Sequence, residues 1–349
     1  MKKWSYLLSY TLVPMYLLGF FTGGWTYFLV PIFVFGVLPA VDLLVGPNAT
    51  NPNTVQASKR KKELFFDWVL WLFVPIQWGV VIWGAYQVAA HNHPWWGLAG
   101  MVLSAGIITG ATGITVAHEL GHRSNRRDRF LSKLMLVAVN YGHFFIEHNQ
   151  GHHAQVATPL DPASARLGES LFGFLPRTLW GSYRHAWHLE SRRLGRKEQS
   201  FWSPGNQMLV FGLLSIGLSL AFYWVLGWKG LAFFLIQSVF AVVLLEVVNY
   251  IEHYGLTRAA VGEGRYEKVN PTHSWNADEY VTNCFLFELQ RHSDHHAYPN
   301  RPYQILRSHP ESPKLPTGYG GMILLAFFPP IWHRVMDPLA NEYNTQMQA

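Results

Sequence analysis

Charge is scarce in this chain. Only 14% of its 349 residues are Asp, Glu, Lys or Arg, against about 25% in a typical soluble protein. Cysteine is nearly absent: Cys284 stands alone. That excludes an internal disulfide framework, a Cys-x-x-Cys zinc site and a cysteine-bound iron–sulfur centre. No Gly-x-Gly-x-x-Gly follows a strand-like segment, so no dinucleotide fold is visible. What the chain does contain is apolar. Half of it is hydrophobic and 15% is aromatic, with 15 Trp, 16 Tyr and 23 Phe. This composition excludes disorder and a set of soluble domains. The net charge of +6, spread so thinly, points to membrane lipid or an acidic partner rather than to nucleic acid.

A membrane span needs about 20 apolar residues, and six stretches qualify: about 4–22, 25–45, 64–90, 96–117, 207–226 and 230–250. Gly23-Gly24 and Gly227-Trp228-Lys229 separate two of the pairs as tight hairpins. With both termini cytoplasmic, 26 of the 27 Lys and Arg residues fall on the inner side and only Lys229 lies outside, as the positive-inside rule requires. The expectation is an all-α polytopic membrane protein. Its single domain, 1–349, has six spans, and a cytoplasmic helical cap is formed by 118–206 and 251–349. Phe130–Phe145 is short and polar for a span, so it reads as a helix lying at the inner interface. Met322–Ile331 is cut short by Pro329-Pro330 and should lie against the same face.

Against this apolar background stand 17 histidines. Nine form a pattern: His118 and His122 end the fourth span, His148, His152 and His153 follow, His253 ends the sixth, and His292, His295 and His296 come last. Under the topology above all nine lie on the cytoplasmic side. Residues three or four apart share a helix face, so each such pair can hold one metal ion. Adjacent residues point about 100° apart, so the doublets His152-His153 and His295-His296 suit two ions side by side. Nine nitrogens over two ions gives four on one and five on the other. Catalytic zinc generally takes three protein ligands, which leaves iron or copper among the metals that imidazole favours. Of the other histidines, His273 is the one whose exclusion is least secure.

Carboxylates near the histidines should orient the imidazoles through hydrogen bonds. The candidates are Glu119, Glu147, Asp161, Glu252 and Asp294, with Asp294 favoured because it lies inside a histidine block. Glu246 and Asn249 share a helix face with His253, and a carboxylate within a span is costly enough to suggest a function.

The blocks at 118–122, 147–153, 249–255 and 290–296 resemble those of the membrane-bound alkane 1-monooxygenases. These belong to a wider class of histidine-rich membrane desaturases and hydroxylases. His-x₃-His, His-x₃-His-His and His-x₂-His-His mark the wider class, whereas Asn249-Tyr-Ile-Glu-His-Tyr-Gly255 and Leu289-Gln-Arg-His-Ser-Asp-His-His296 are similar to the alkane hydroxylase branch. The resemblance runs from about residue 1 to 340. It implies a centre of two non-haem iron ions held by the nine histidines, and terminal hydroxylation of medium-chain n-alkanes with O₂. It also implies electrons from rubredoxin, itself reduced by an NADH-dependent reductase, and a place in the bacterial inner membrane. Arg123, Arg126, Arg127, Arg129, Arg192, Arg193, Arg196 and Lys197 form a basic face on which such a donor could dock.

Three other readings remain. A fatty-acyl desaturase or another lipid hydroxylase would carry much the same metal site and differ in product. An intramembrane zinc protease would use His118-Glu-Leu-Gly-His122 as H-E-x-x-H but leaves seven histidines idle. A bis-histidine haem carrier would pair its ligands across helices rather than in sequence doublets.

Overall fold

The computed structural model describes residues 3–348. Among the described residues, five helices are long and apolar enough to cross a membrane: α1 (Lys3–Thr22), α2 (Gly24–Val45), α3 (Phe65–Ala90), α4 (Trp95–Gly121) and Gln207–His253. The last is not one rod. Gly227 has φ 68° and ψ −171°, a conformation open to glycine and costly for residues with a Cβ. The rings of Phe222 and Phe234 stack 4.4 Å apart, although 12 residues of straight helix would separate them by about 18 Å. The chain therefore folds back at Gly227 into two antiparallel arms, 207–226 and 228–253. The turn falls at the expected place. α4 and the second arm both run past the expected ends at 117 and 250, so that His118 and His253 sit on their final turns.

Exposed Trp25, Trp95, Trp224 and Trp228 lie at the ends of these helices remote from the histidines. That is where the water–lipid interface enriches such rings. α4 is the most buried of the five. A Cβ on its Gly110 would come within 2.9 Å of the Ala241 backbone, so only glycine lets α4 lie this close to the 228–253 arm. The protein is a multi-pass, mainly helical membrane protein. One small departure from all-α architecture is an antiparallel pair, Ala260–Gly262 with Arg265–Tyr266.

The stretch expected to lie flat at the interface does something else. Helix α5 (Arg126–Val137) descends beside α4, and its residues bond to successively deeper levels of the bundle. Ser132 Oγ donates to Ala117 O (2.6 Å), Gln77 Nε2 donates to Met135 O (3.0 Å), and Gln237 Nε2 donates to Ala138 O (3.2 Å). Gln237 Oε1 in turn accepts from Thr109 Oγ1 at 2.9 Å, a level eight residues or about 12 Å below Ala117. The chain turns at Asn140, whose φ is 54°, and climbs back through Phe144–Glu147 to His148. The segment is a re-entrant loop, not a surface helix. Buried backbone carbonyls need partners, and the two intramembrane glutamines supply them.

Further helices are α6 (Leu171–Gly195), α7 (His292–Ala297), α8 (Tyr319–Ala326) and α9 (Pro329–Gln348), with shorter ones at Thr54–Lys62 and Tyr280–Phe285. Pro329 and Pro330 open α9 at the helix positions that tolerate proline, which is why the apolar run at 322–331 breaks in two.

Candidate metal centre

Each histidine is placed by the end of an element. His118 and His122 occupy the last turn of α4 and the residue after it, and Asn125 caps α5 at once, accepting from Asp128 N at 2.8 Å. His253 closes the 228–253 arm. His292, His295 and His296 lie on α7, whose lead-in is anchored by the buried guanidinium of Arg291. That group donates to Leu306 O (2.7 Å) and Asn48 O (3.0 Å) and sits 3.0 Å from Glu288.

All nine come together, in two groups. His118, His122, His148, His153 and His295 form one, and His152, His253, His292 and His296 the other. Within each group the potential ligand atoms lie within 4.8 Å of one another. The groups adjoin, since the stacked rings of His153 and His296, one from each, have centroids 4.4 Å apart. Both doublets are split between the groups. His118 with His122 and His292 with His296 keep the i,i+4 pairing. His148 and His152 do not, because His148–His152 is π-helical. Its i→i+5 bonding aligns His148 with His153, 3.0 Å apart at Nε2, and turns His152 away. Likewise His295, three residues after His292, faces the other group.

The donor set fits a cation. Nε2 atoms meet Nε2 atoms at 3.1 Å (His122–His148), 3.1 Å (His153–His295), 3.2 Å (His152–His296) and 3.2 Å (His253–His292). His118 Nε2 is buried without a hydrogen-bond partner. Lone pairs converging in this way leave buried polar atoms unsatisfied unless a positive ion lies among them. The imidazoles outside the spans are also in the ligating state. Burial, with the neighbouring histidines, holds His148, His153, His292, His295 and His296 well below the usual imidazole range, and burial takes His122 to about 3. His152 is the exception. Burial opposes its charge, but the adjacent Asp161 carboxylate prevails and lifts it to about 9.

Of the seven residues expected to support the imidazoles, one hydrogen-bonds to a ring and a second lies close beside one. Asp161 Oδ2 lies 2.9 Å from His152 Nδ1 and also accepts from Ser164 Oγ at 2.6 Å. Glu252 Oε1 lies 3.2 Å from His292 Nδ1. Asp294, the favoured candidate, touches none of the nine. It is fully buried, accepts from Arg301 and from Arg307 N (3.0 Å), and sits 2.7 Å from His309 Nε2, so it ties the following loop to α7. On a helix its side chain points away from the face that carries the histidines. Glu119 meets Arg123 (3.5 Å) and Tyr303 N (3.4 Å), and Glu147 meets His185 (3.2 Å). Glu246 accepts from Tyr141 OH (2.6 Å), Thr178 Oγ1 (2.7 Å) and Asn249 Nδ2 (3.2 Å), which explains both span residues as one anchor for the re-entrant loop and α6. His273 pairs with Glu267 at 3.2 Å and lies in neither group.

Directly below the histidines is a narrow apolar cavity of about 40 Å³. Thr115 lies one turn before His118, Val248 five residues before His253 and Leu289 three before His292. Val34, Gly110 and Leu244 line it deeper in the bundle, and Tyr319 borders it from α8. Nothing in the sequence pattern distinguished these residues from ordinary lipid-facing or packing side chains.

A buried histidine metal site at the ends of apolar helices defines a membrane-bound metalloenzyme of the desaturase and hydroxylase type, and residues 93–324 match the fatty acid desaturase family. Alkane 1-monooxygenase 2 of Pseudomonas aeruginosa is 43% identical over 351 residues, covering 97% of this chain and 92% of the relative. Alkane 1-monooxygenase 1 of Alcanivorax borkumensis is 42% identical over 322 residues, 92% of this chain and 80% of its own. A xylene/toluene monooxygenase hydroxylase component of Pseudomonas putida is 28% identical over 335 residues, 93% and 86% of the two chains. The chain belongs to the alkane 1-monooxygenase family.

Proposed function

We propose that this chain is a diiron alkane 1-monooxygenase that converts medium-chain n-alkanes and O₂ to 1-alkanols. The observation that carries the reading is the apolar cavity ending beneath two adjoining histidine groups. His118, His122, His148, His153 and His295 hold one iron, and His152, His253, His292 and His296 the other. Bound iron supplies the O₂ activation by which one oxygen atom enters a terminal C–H bond and the second leaves as water, with two electrons and two protons taken up. The chain's own part is to bind and orient. The cavity walls exclude water and align the hydrocarbon end-on. Asp161 fixes the ring of His152, and the Glu252 carboxylate lies against that of His292.

Six spans, counting the arms at Gly227 separately, set the termini and the metal site on the cytoplasmic side of a bacterial inner membrane, supported by the distribution of Lys and Arg. The electrons come from outside the chain, since its one cysteine cannot form a redox centre alone, and the resemblance to the alkane hydroxylases makes rubredoxin the donor. The basic face available to it is smaller than the sequence suggests. Arg123 is engaged with Asp67 and Asp128, and Arg193 with Glu190 (2.7 Å), whereas Arg126, Arg127, Arg129, Arg192, Arg196 and Lys197 are exposed.

The test is turnover of dodecane by purified protein with O₂, NADH, rubredoxin and its reductase, followed by gas chromatography. 1-Dodecanol that vanishes on His253→Ala or His296→Ala supports the reading. An alkene product from acyl substrates, with no alcohol, replaces it with a desaturase.

A further inference from the structure

Tyr319 opens α8 and belongs to no histidine motif, yet it reaches both the cavity and the metal centre. Its side chain forms part of the cavity wall, and its hydroxyl donates to Glu252 Oε1 at 2.7 Å. The same Glu252 oxygen lies 3.2 Å from His292 Nδ1 in the four-histidine group. Tyr319 is fully buried, and Glu252 and His292 are each 2% exposed, so the Tyr319–Glu252 hydrogen bond lies in dry surroundings where such bonds are strong, and the carboxylate it holds meets His292 by close approach, without a hydrogen bond. The residue is held at both ends, because its backbone N–H donates to Gln290 Oε1 at 2.8 Å. The carboxylate cannot turn without breaking the bond to the phenol. The five-histidine group has no such partner from the cavity wall among the described residues.

We propose that Tyr319 is a positioning residue that couples the apolar cavity to the four-histidine group, its ring meeting the hydrocarbon and its hydroxyl fixing the carboxylate set against His292. The inference rests on reading the two groups as iron sites. A hydrocarbon packed against the ring then alters the Glu252–His292 contact on one side of the centre only.

The test compares wild type with Tyr319→Phe, which keeps the ring and removes the hydroxyl, using Mössbauer spectra of the iron-loaded protein with and without dodecane. Two iron signals are expected in wild type, one of them shifted by dodecane. In Tyr319→Phe that same signal is displaced before dodecane is added, the other is unchanged, and iron from the affected site is lost to a chelator ~10–100-fold more readily, the range for groups that orient metal ligands. Glu252→Gln displaces the same signal, and the double variant goes no further. Unchanged spectra and chelation in Tyr319→Phe overturn the proposal. An effect of Tyr319→Phe without one of Glu252→Gln overturns the route through the carboxylate. A wild type without two iron signals overturns the diiron reading itself, and the inference with it.

Discussion

Asp161→Asn isolates the support of one imidazole. The wild-type carboxylate is fully buried and accepts three contacts: His152 Nδ1 at 2.9 Å, Ser164 Oγ at 2.6 Å and Ala163 N at 3.0 Å. Asparagine has the same shape, so the 161–164 turn stays closed, but the negative charge is lost. With burial then unopposed, His152 falls from about 9 towards the depressed range of its neighbours, and as a ligand it becomes a weaker base. Loss of such a partner costs ~10–100-fold in metal affinity, which at about 1.4 kcal/mol per tenfold is about 1.4–2.8 kcal/mol of binding. The assay is iron content and dodecane turnover after incubation with a graded chelator. The expected result is selective loss of one iron per chain with turnover falling in step. Asp294→Asn is the control: it lowers thermal stability through the Arg301 and Arg307 contacts and leaves iron affinity alone. Equal chelator resistance in wild type and Asp161→Asn would refute the argument.

Further outcomes follow from other contacts. His152 carries a proton in the metal-free site at neutral pH, so metal uptake must expel it, and affinity should rise with pH by up to about tenfold per unit between about 7 and 9. Titration calorimetry showing pH-independent affinity over that range contradicts this. Leu244→Phe, at the deep end of the cavity, should move the product profile towards shorter alkanes in a mixed-substrate gas chromatography assay, and an unaltered profile would place the chain elsewhere. Gln237→Leu strands the Ala138 carbonyl, while Thr109 keeps its bond to Ala105 O. It should destabilise the re-entrant loop by about 1–3 kcal/mol, seen as a lower unfolding temperature.

Much of the fold was legible because lipid imposes it. Length and hydropathy located the long apolar helices to within a few residues, and Gly227 marked the turn between the last two arms. The nine histidines were legible because their types and spacings carry chemistry in one dimension. Their grouping was only half legible. A π-turn is a tertiary outcome with no sequence period of its own, so the link from His148 to His153 rather than His152 could not be read. The re-entrant loop was missed for a related reason. Its carbonyls bond to Gln77 and Gln237, 58 and 99 residues away in the chain, and local polarity alone resembles a surface helix. Asp294 illustrates the limit of proximity in sequence. It lies between ligand-bearing positions and faces away from them, whereas Tyr319, far along the chain, reaches Glu252 across 67 residues.

We propose that the two histidine groups hold two iron ions. The most direct measurement is iron per chain in purified wild type, His118→Ala and His253→Ala, determined by elemental analysis against protein mass. Two iron ions are expected in wild type and one in each variant, with a different Mössbauer signal surviving in each. A single zinc in iron-replete wild type, or loss of both ions in neither variant but of the same one in both, would contradict it.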